Sequence, residues 1–343
     1  MSTPRQVETN HKAGKKPHEG LESPQSGWQK HRSLPYHLKT LFLFTKSDFK
    51  TVVLPHTTFA ITGAVSAANL TGRDPLSLLE VAARLPLVVL WIWSNLLVED
   101  LANQRTKGGI IEDTRNKPWR PIPSGRITPY ETQLLLLMAI PLTVGLSAAL
   151  GALKPSLCLV SLVWMYNDLE GSSVNIWLRN LLNAGGLMSF SWGALSVMSK
   201  DHTNLLRLTL DGDAALTERA YWWILATGVI IVATVHAQDM PDIEGDKARG
   251  RKTMPLLYGE SWARGSVAVM VTLASIISPF FFSGPTSWWA ALPLLLGSSL
   301  SVLTLLRRGQ AMDEVAWKLW CFWTMSLYLL PLSAPSGGAE MSG

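Results

Sequence analysis

LPLVVLWIWSNLLVEDLANQR, residues 85–105, is an apolar run that stops at a group of acids and amides. The run begins near residue 76 and stays apolar to 98, long enough as a helix to cross a hydrocarbon core. Similar runs follow or precede it at about 54–71, 131–150, 155–167, 175–199, 220–238, 263–283, 286–306 and 315–332. Together they predict an all-α, multi-pass membrane bundle of about nine transmembrane helices. Before the first run, Leu34 to Lys50 mixes apolar and basic residues at helical spacing, as an interfacial helix does.

Composition agrees with a membrane domain. Only 16% of the 343 residues are charged and the mean hydropathy is +0.19. Many of the 15 Trp lie near the ends of apolar runs, where indole favours the lipid–water boundary. Cys158 and Cys321 both fall inside apolar runs, which speaks against a disulfide framework or a zinc site. Residues 1–35 are polar, with no apolar stretch of the kind a cleavable signal peptide carries, and read as a disordered basic cytoplasmic tail.

The net charge of +5 follows topology and needs no nucleic-acid partner. With the N-terminus cytoplasmic, Lys and Arg gather before residue 54 and in the connections 99–130, 239–260 and 307–314. The opposite side has only Arg73, Lys154, Lys200, Arg207 and Arg219. This is the positive-inside bias, and it puts both acidic connections in the cytoplasm.

At the end of 85–105, Asn95, Glu99 and Asn103 recur at i, i+4 and i+8 on one helical face, with Asp100 alongside. Oxygen donors grouped in this way suit a hard divalent cation; the plainer alternative is that they solvate a helix end. The second group is HAQDMPDIEGDKARGRKTMP, residues 236–255. On a continuous helix Asp239, Asp242 and Asp246 would share a face, with Glu244 adding charge and Pro241 a source of kinking. Carboxylates this close repel unless a cation neutralises them.

Basic residues follow each group: Arg105, Arg115, Lys117, Arg120 and Arg126 after the first, Lys247, Arg249, Arg251 and Lys252 after the second. Acids to hold Mg2+ and bases to take phosphate charge are what a metal–diphosphate requires, although the same bases also serve as topology determinants. Within the runs, His236 either lines the same cavity or bonds a neighbouring helix. Tyr166, Asn167, Asp168, Arg179, Asn180 and Asn183 cluster around the fourth and fifth runs, where interhelical hydrogen bonds are the common role. Arg84 and Lys318 are expected to snorkel or pair. Asn69 starts a glycosylation sequon at a membrane edge, where it is expected to be silent.

On these motifs the chain resembles the UbiA superfamily of intramembrane prenyltransferases, over most of residues 40–330. Asp239, Asp242, Gly245 and Asp246 with the following GRKTMPLLYG look like that family's second aspartate-rich region, and RPIPSGR at 120–126 like the stretch after its first. The resemblance implies a catalytic domain spanning 36–335, nine helices, and magnesium-dependent chemistry on an isoprenyl diphosphate at the cytoplasmic end of a central cavity. It assigns metal binding to Asn95, Glu99, Asp100, Asn103, Asp239, Asp242 and Asp246. Substrate binding goes to Asn103, Arg105, Lys117, Arg120, Arg249, Lys252, Tyr166 and Asn167.

Two places depart from the family pattern. Leu96 stands where the first motif has its first Asp, with Glu99 and Asn103 at the later acidic positions. YNDLEGSS at 166–173 lacks a nearby Lys-Arg pair, leaving an acidic aromatic acceptor without its usual partners. Both departures, with FLFTKSDFKTVVLP at 42–55, are similar to a fungal branch that includes membrane-bound terpene cyclases.

The expectation is therefore a diphosphate lyase of terpenoid secondary metabolism, cyclising farnesyl or geranylgeranyl diphosphate in the endoplasmic reticulum membrane. A UbiA-type prenyltransferase acting on an aromatic or other small acceptor stays open, as do an inactive lipid-binding scaffold and a transporter. No obligate protein partner is implied.

Overall fold

Hydroxyl and carboxamide caps set where the helices begin. A computed structural model of the chain describes residues 32–66, 70–71, 74–200, 216–282 and 291–333. The helices are α1 (Leu34–Thr45), α2 (Leu54–Val65), α3 (Leu78–Gln104), α4 (Lys107–Asn116), α5 (Pro129–Leu150), α6 (Leu153–Asn167), α7 (Ile176–Ser199), α8 (Glu218–Thr234), α9 (Ile243–Arg249), α10 (Glu260–Phe282), α11 (Ala291–Leu306) and α12 (Gln310–Tyr328). Ser77 with Glu80 and Thr128 with Glu131 close capping boxes on α3 and α5. Thr106, Asn175 and Thr217 cap α4, α7 and α8 through their side-chain oxygens. A π-helical turn, Phe49–Val53, leads into α2, and a 3-10 turn, Val235–Asp239, extends α8.

Among the described residues a helix overlies each of the nine apolar runs. Among the described residues five spans are long and apolar enough to cross a membrane: α3, α5, α7, α8 with its extension, and α10. Leu137, Leu142, Ile276, Phe281 and Leu306 are exposed on these helices and on α11, as side chains facing lipid tails are. The protein is an all-helical membrane protein. All but the last few residues of the 1–35 tail, and the Asn69 sequon, lie outside the described residues.

Tryptophan is used differently from the interfacial role expected of it. Trp177, Trp222 and Trp262 are exposed near helix ends, but Trp91, Trp223, Trp320 and Trp323 are fully buried. Buried indoles need an acceptor for N–H. Trp91 donates to Ser147 (2.9 Å), Trp320 to Thr234 (3.1 Å) and Trp323 to Ser275 (2.8 Å). Phe59 stacks on Trp223 with ring centroids 3.8 Å apart. Small residues make room for these rings: a Cβ on Gly193 would overlap Trp91, and one on Gly297 would meet Ser275 and Trp323.

Two polar staples fix the end of the bundle that carries the acidic connections. Arg264 of α10 is buried and donates to both carboxylate oxygens of Asp313 in the first turn of α12, at 2.6 and 2.8 Å, and to the carbonyls of Thr304 and Arg307 at the end of α11. The interfacial helix α1 docks through Phe44, whose carbonyl accepts from Gln104 (2.9 Å), and Thr45, which accepts from Trp93 (3.1 Å). Tyr36 donates to the Arg126 carbonyl at 2.7 Å while the Arg126 guanidinium lies 4.2 Å from its ring centroid.

Candidate active site

Helix ends and connections converge on a cavity of about 570 Å³. One face of α7 runs its full depth: Arg179, Leu182, Asn183, Gly186, Leu187 and Phe190, spaced for helical repeat, pass from charged to apolar. Leu96, Leu159, Leu162, Val163 and Val235 complete the apolar part. Glu99, Asp100 and Asn103 enter from α3, Glu112, Asn116 and Lys117 from the first connection, and Asp242 and Arg251 from the second. The size suits a small-molecule site, and the split of charged mouth and apolar floor suits an amphiphile.

Several residues expected at the site line the cavity: Glu99, Asp100, Asn103, Lys117, Arg120, Tyr166, Asn167 and Asp242. Asn103 Nδ2 donates to Asn167 Oδ1 at 2.9 Å, joining α3 to α6 at the wall. Asp239 and Asp246 are fully buried directly behind it, reached through the cations in front of them. Arg179 donates to Asp239 at 2.5 Å, Lys117 lies 3.3 Å from Asp242, and Arg251 3.1 Å from Asp246. Each aspartate of the second group is thus held by a base, with Arg251 shared with Glu112 at 3.1 Å.

The continuous helical face expected for Asp239, Asp242 and Asp246 is not formed. The 3-10 turn ends at Asp239, Pro241 interrupts the helix, and α9 starts afresh with Asp242 at its N-cap. His236 takes the helix-bonding role, with Nε2 2.8 Å from Ser266 Oγ. Asn95 does not line the cavity: its amide donates to the Trp91 carbonyl at 2.9 Å and accepts from Ser156, because α6 packs against α3 at that level. Arg105 is drawn aside by Asp168, and Arg249 by Glu112 at 3.0 Å. Lys252 is exposed; the left-handed Gly250 that ends α9 turns Arg251 inward instead.

The fold also brings in residues that neither acidic motif marks. Lys46, Ser47 and Asp48, which follow α1, and Lys50 of the π turn reach the mouth. Arg120 binds Asp113 (2.8 Å), Asp48 (3.1 Å) and Ser47 (2.5 Å), so it clamps α1 to the first connection rather than standing free. Burial opposes the charge on Asp48, but Arg120, Lys117 and Lys50 outweigh it and hold its carboxyl below the usual range. Burial pushes Asp113 up to about 6 and Asp246 up to about 7 against the pull of Arg120 and Arg179 respectively. The basic run around Lys46 was a visible signal; nothing in the sequence announces the Asp48–Arg120 pairing.

Asn116 ties the two connections together. Its Oδ1 accepts from the Gly245 N–H at 3.0 Å and its Nδ2 donates to the Asp242 carbonyl at 3.2 Å. A Cβ on Gly245 would overlap the Asn116 amide, so only glycine permits this approach. Asn116→Ala removes both bonds and is expected to destabilise the protein by about 1–3 kcal/mol, from the usual worth of two hydrogen bonds. Thermal unfolding in detergent measures it, and an unchanged midpoint would mean the two connections are held together by other contacts.

Among the described residues no three His, Cys, Asp or Glu side chains already form a metal cage. The donor chemistry nevertheless fits a hard cation. Asp100 Oδ2, Asp239 Oδ2 and Asp246 Oδ2 are buried carboxylate oxygens without hydrogen-bond partners, an arrangement costly to leave uncompensated.

The UbiA prenyltransferase family profile matches residues 59–327, which takes in both acidic groups, the α7 face and most of the cavity lining. The chain belongs to this family. Its similarity to the somaliensene A/B synthase of Streptomyces somaliensis is 30% identity, covering 85% of this chain and 90% of that one. The fumagillin beta-trans-bergamotene synthase of Aspergillus fumigatus is 28% identical over 86% of this chain and 92% of its own. A polyprenyl transferase of Hericium erinaceus is 27% identical, over 87% and 95%. Among solved structures, a UbiA homologue from Archaeoglobus fulgidus bound to GPP and Mg2+ shares the fold with a TM-score of 0.56 at 13% identity, over 86% of this chain and 99% of that one. This UbiA-family chain is thus an enzyme of the terpene-cyclase or prenyltransferase kind.

Proposed function

We propose that this protein is a membrane-bound class I terpene cyclase that ionises farnesyl or geranylgeranyl diphosphate with magnesium and cyclises the resulting cation. The observation that carries the reading is the cavity whose α7 face runs from Arg179 at a charged mouth to Phe190 at an apolar floor. Similarity to two proteins named as terpene synthases supports the cyclase over the transferase. So does the stretch 166–173, which offers no basic side chain to an acidic acceptor.

Glu99, Asp100, Asn103, Asp239, Asp242 and Asp246 are the residues that would hold magnesium, with Asn95 set back in the packing. When bound, the ion would neutralise the diphosphate and so ease loss of the leaving group. Lys117, Arg179 and Arg251 bind phosphate oxygens as the allylic C–O bond breaks and its electron pair leaves with pyrophosphate. Leu159, Leu162, Leu182, Leu187 and Phe190 keep water from the carbocation while a double bond of the same chain attacks it. The Phe190 ring face adds cation–π stabilisation. Loss of a proton to the departing pyrophosphate then completes the olefin.

Residues 36–335 form the catalytic domain in this reading. Nine crossings with a cytoplasmic N-terminus put the cavity mouth in the cytoplasm, and the endoplasmic reticulum is the proposed membrane.

Microsomes carrying the chain, given each diphosphate with magnesium and no acceptor, should yield a cyclic hydrocarbon by gas chromatography–mass spectrometry. EDTA should abolish it and excess magnesium restore it. Prenylation only after an acceptor is supplied would replace the cyclase reading with the transferase one. Neither product with any substrate would overturn both.

A further inference from the structure

We propose that Gly186 is the specificity-determining residue for chain length: its missing side chain leaves the space through which a long isoprenoid passes to the cavity floor. The inference rests on reading the cavity as an isoprenyl diphosphate site. A glycine inside a helix is unfavourable, so its presence calls for a physical cause. Close helix approach is the cause at most glycines of this bundle. A Cβ on Gly193 would overlap Trp91, on Gly63 Leu195, and on Gly228 Met188, while on neighbouring Gly185 it would come within 3.3 Å of Leu162. A Cβ on Gly186 would have no heavy atom within 4 Å, as is also true of Gly145 and Gly265, but of these three helical glycines Gly186 alone lines the cavity.

Its position gives that free space a use. Gly186 stands two turns below Arg179 and one turn above Phe190 on the cavity face of α7. By helical rise it is about 10 Å from the level of Arg179 and about 6 Å from that of Phe190. A side chain there would stand between the charged mouth and the floor. A short chain ends above it; a long one has to pass. A Cβ there would leave the packing of the bundle unaffected, since it has no heavy atom within 4 Å.

The test compares wild type with G186A and G186L for magnesium-dependent pyrophosphate release from geranyl, farnesyl and geranylgeranyl diphosphate. Thermal unfolding is followed in parallel. G186A should unfold at the same or a higher temperature, since alanine favours the helix. In G186L the ratio of rates on the longest and shortest chains should fall on the order of tenfold or more, as overfilling a cavity by one side chain does. An equal loss at all three lengths, or a lower unfolding temperature in G186A, would overturn the assignment.

Binding separates this inference from the cyclase reading. If wild type releases no pyrophosphate, the cyclase reading fails, and thermal shifts with the three thiolodiphosphate analogues still decide Gly186. A shift with the geranylgeranyl analogue that G186L loses, with the geranyl shift retained, supports the inference. Equal shifts in the two proteins overturn it.

Discussion

Asp242→Ala lowers magnesium-dependent pyrophosphate release by about 10²–10³-fold, the loss typical of removing one preorganised electrostatic group, while the protein stays folded. The two halves of this expectation have separate origins. Asp242 lines the cavity and pairs with Lys117 at 3.3 Å, and both side chains retain about a quarter of their exposure (22% and 26%). A partly exposed ion pair of that kind contributes at most about 1 kcal/mol, so unfolding should shift little. Of the three aspartates of the second group, Asp242 is the one that opens on the cavity, because Asp239 and Asp246 are enclosed behind Arg179 and Arg251. Single-turnover pyrophosphate release measures the first half and thermal unfolding in detergent the second. Activity within a factor of about three of wild type would remove Asp242 from the site, given the usual size of such effects.

Arg179→Leu is expected to cost about 3–5 kcal/mol, because it leaves Asp239 as an uncompensated buried charge. The pair is enclosed, with side-chain exposures of 4% and 0%. Asp239→Asn in the same background removes that charge, and the double variant should recover most of the lost stability. Activity should stay absent in both variants, since the reading gives both groups a part in diphosphate binding. Thermal unfolding and pyrophosphate release, measured on the single and double variants, separate the roles. Recovery of activity along with stability would make the pair a structural staple like Arg264–Asp313. A double variant no more stable than Arg179→Leu would show that the charge was never the source of the loss.

The helices were legible in the sequence because an apolar run records its own environment: lipid demands apolar side chains all round and a fully bonded backbone. The first acidic group was legible in part for the same local reason, since α3 continues through it and keeps Glu99 and Asn103 on one face. Asn95 shows the limit, because helical phase places it on that face while the packing of α6 decides what covers it. In the second group periodicity failed at Pro241, where the chain changes from 3-10 turn to a new helix. Choosing between Arg251 and Lys252 required knowing the left-handed turn at Gly250. Asn116 and Asp48 act through partners far away in the chain, at Gly245 and Arg120, and a single sequence carries no record of such pairs.

The π turn at Phe49–Val53 sets a rotational phase. A turn closed by i→i+5 bonds holds one residue more than the α-helical register needs, and one residue corresponds to about 100° of rotation. Before the turn, Lys46, Ser47 and Asp48 face the mouth; after it, His56 and Phe59 are buried against Phe190, Trp223 and Tyr328. Lys50 and Thr51 of the turn itself line the mouth as well, while Val53 joins the buried core. The turn therefore works as a phase adapter, letting the chain that leaves α1 serve the diphosphate end while α2 keeps its place in the aromatic core. Deleting a single residue from it would rotate one set away from its partners, which makes the length of this stretch, more than its composition, the quantity under constraint.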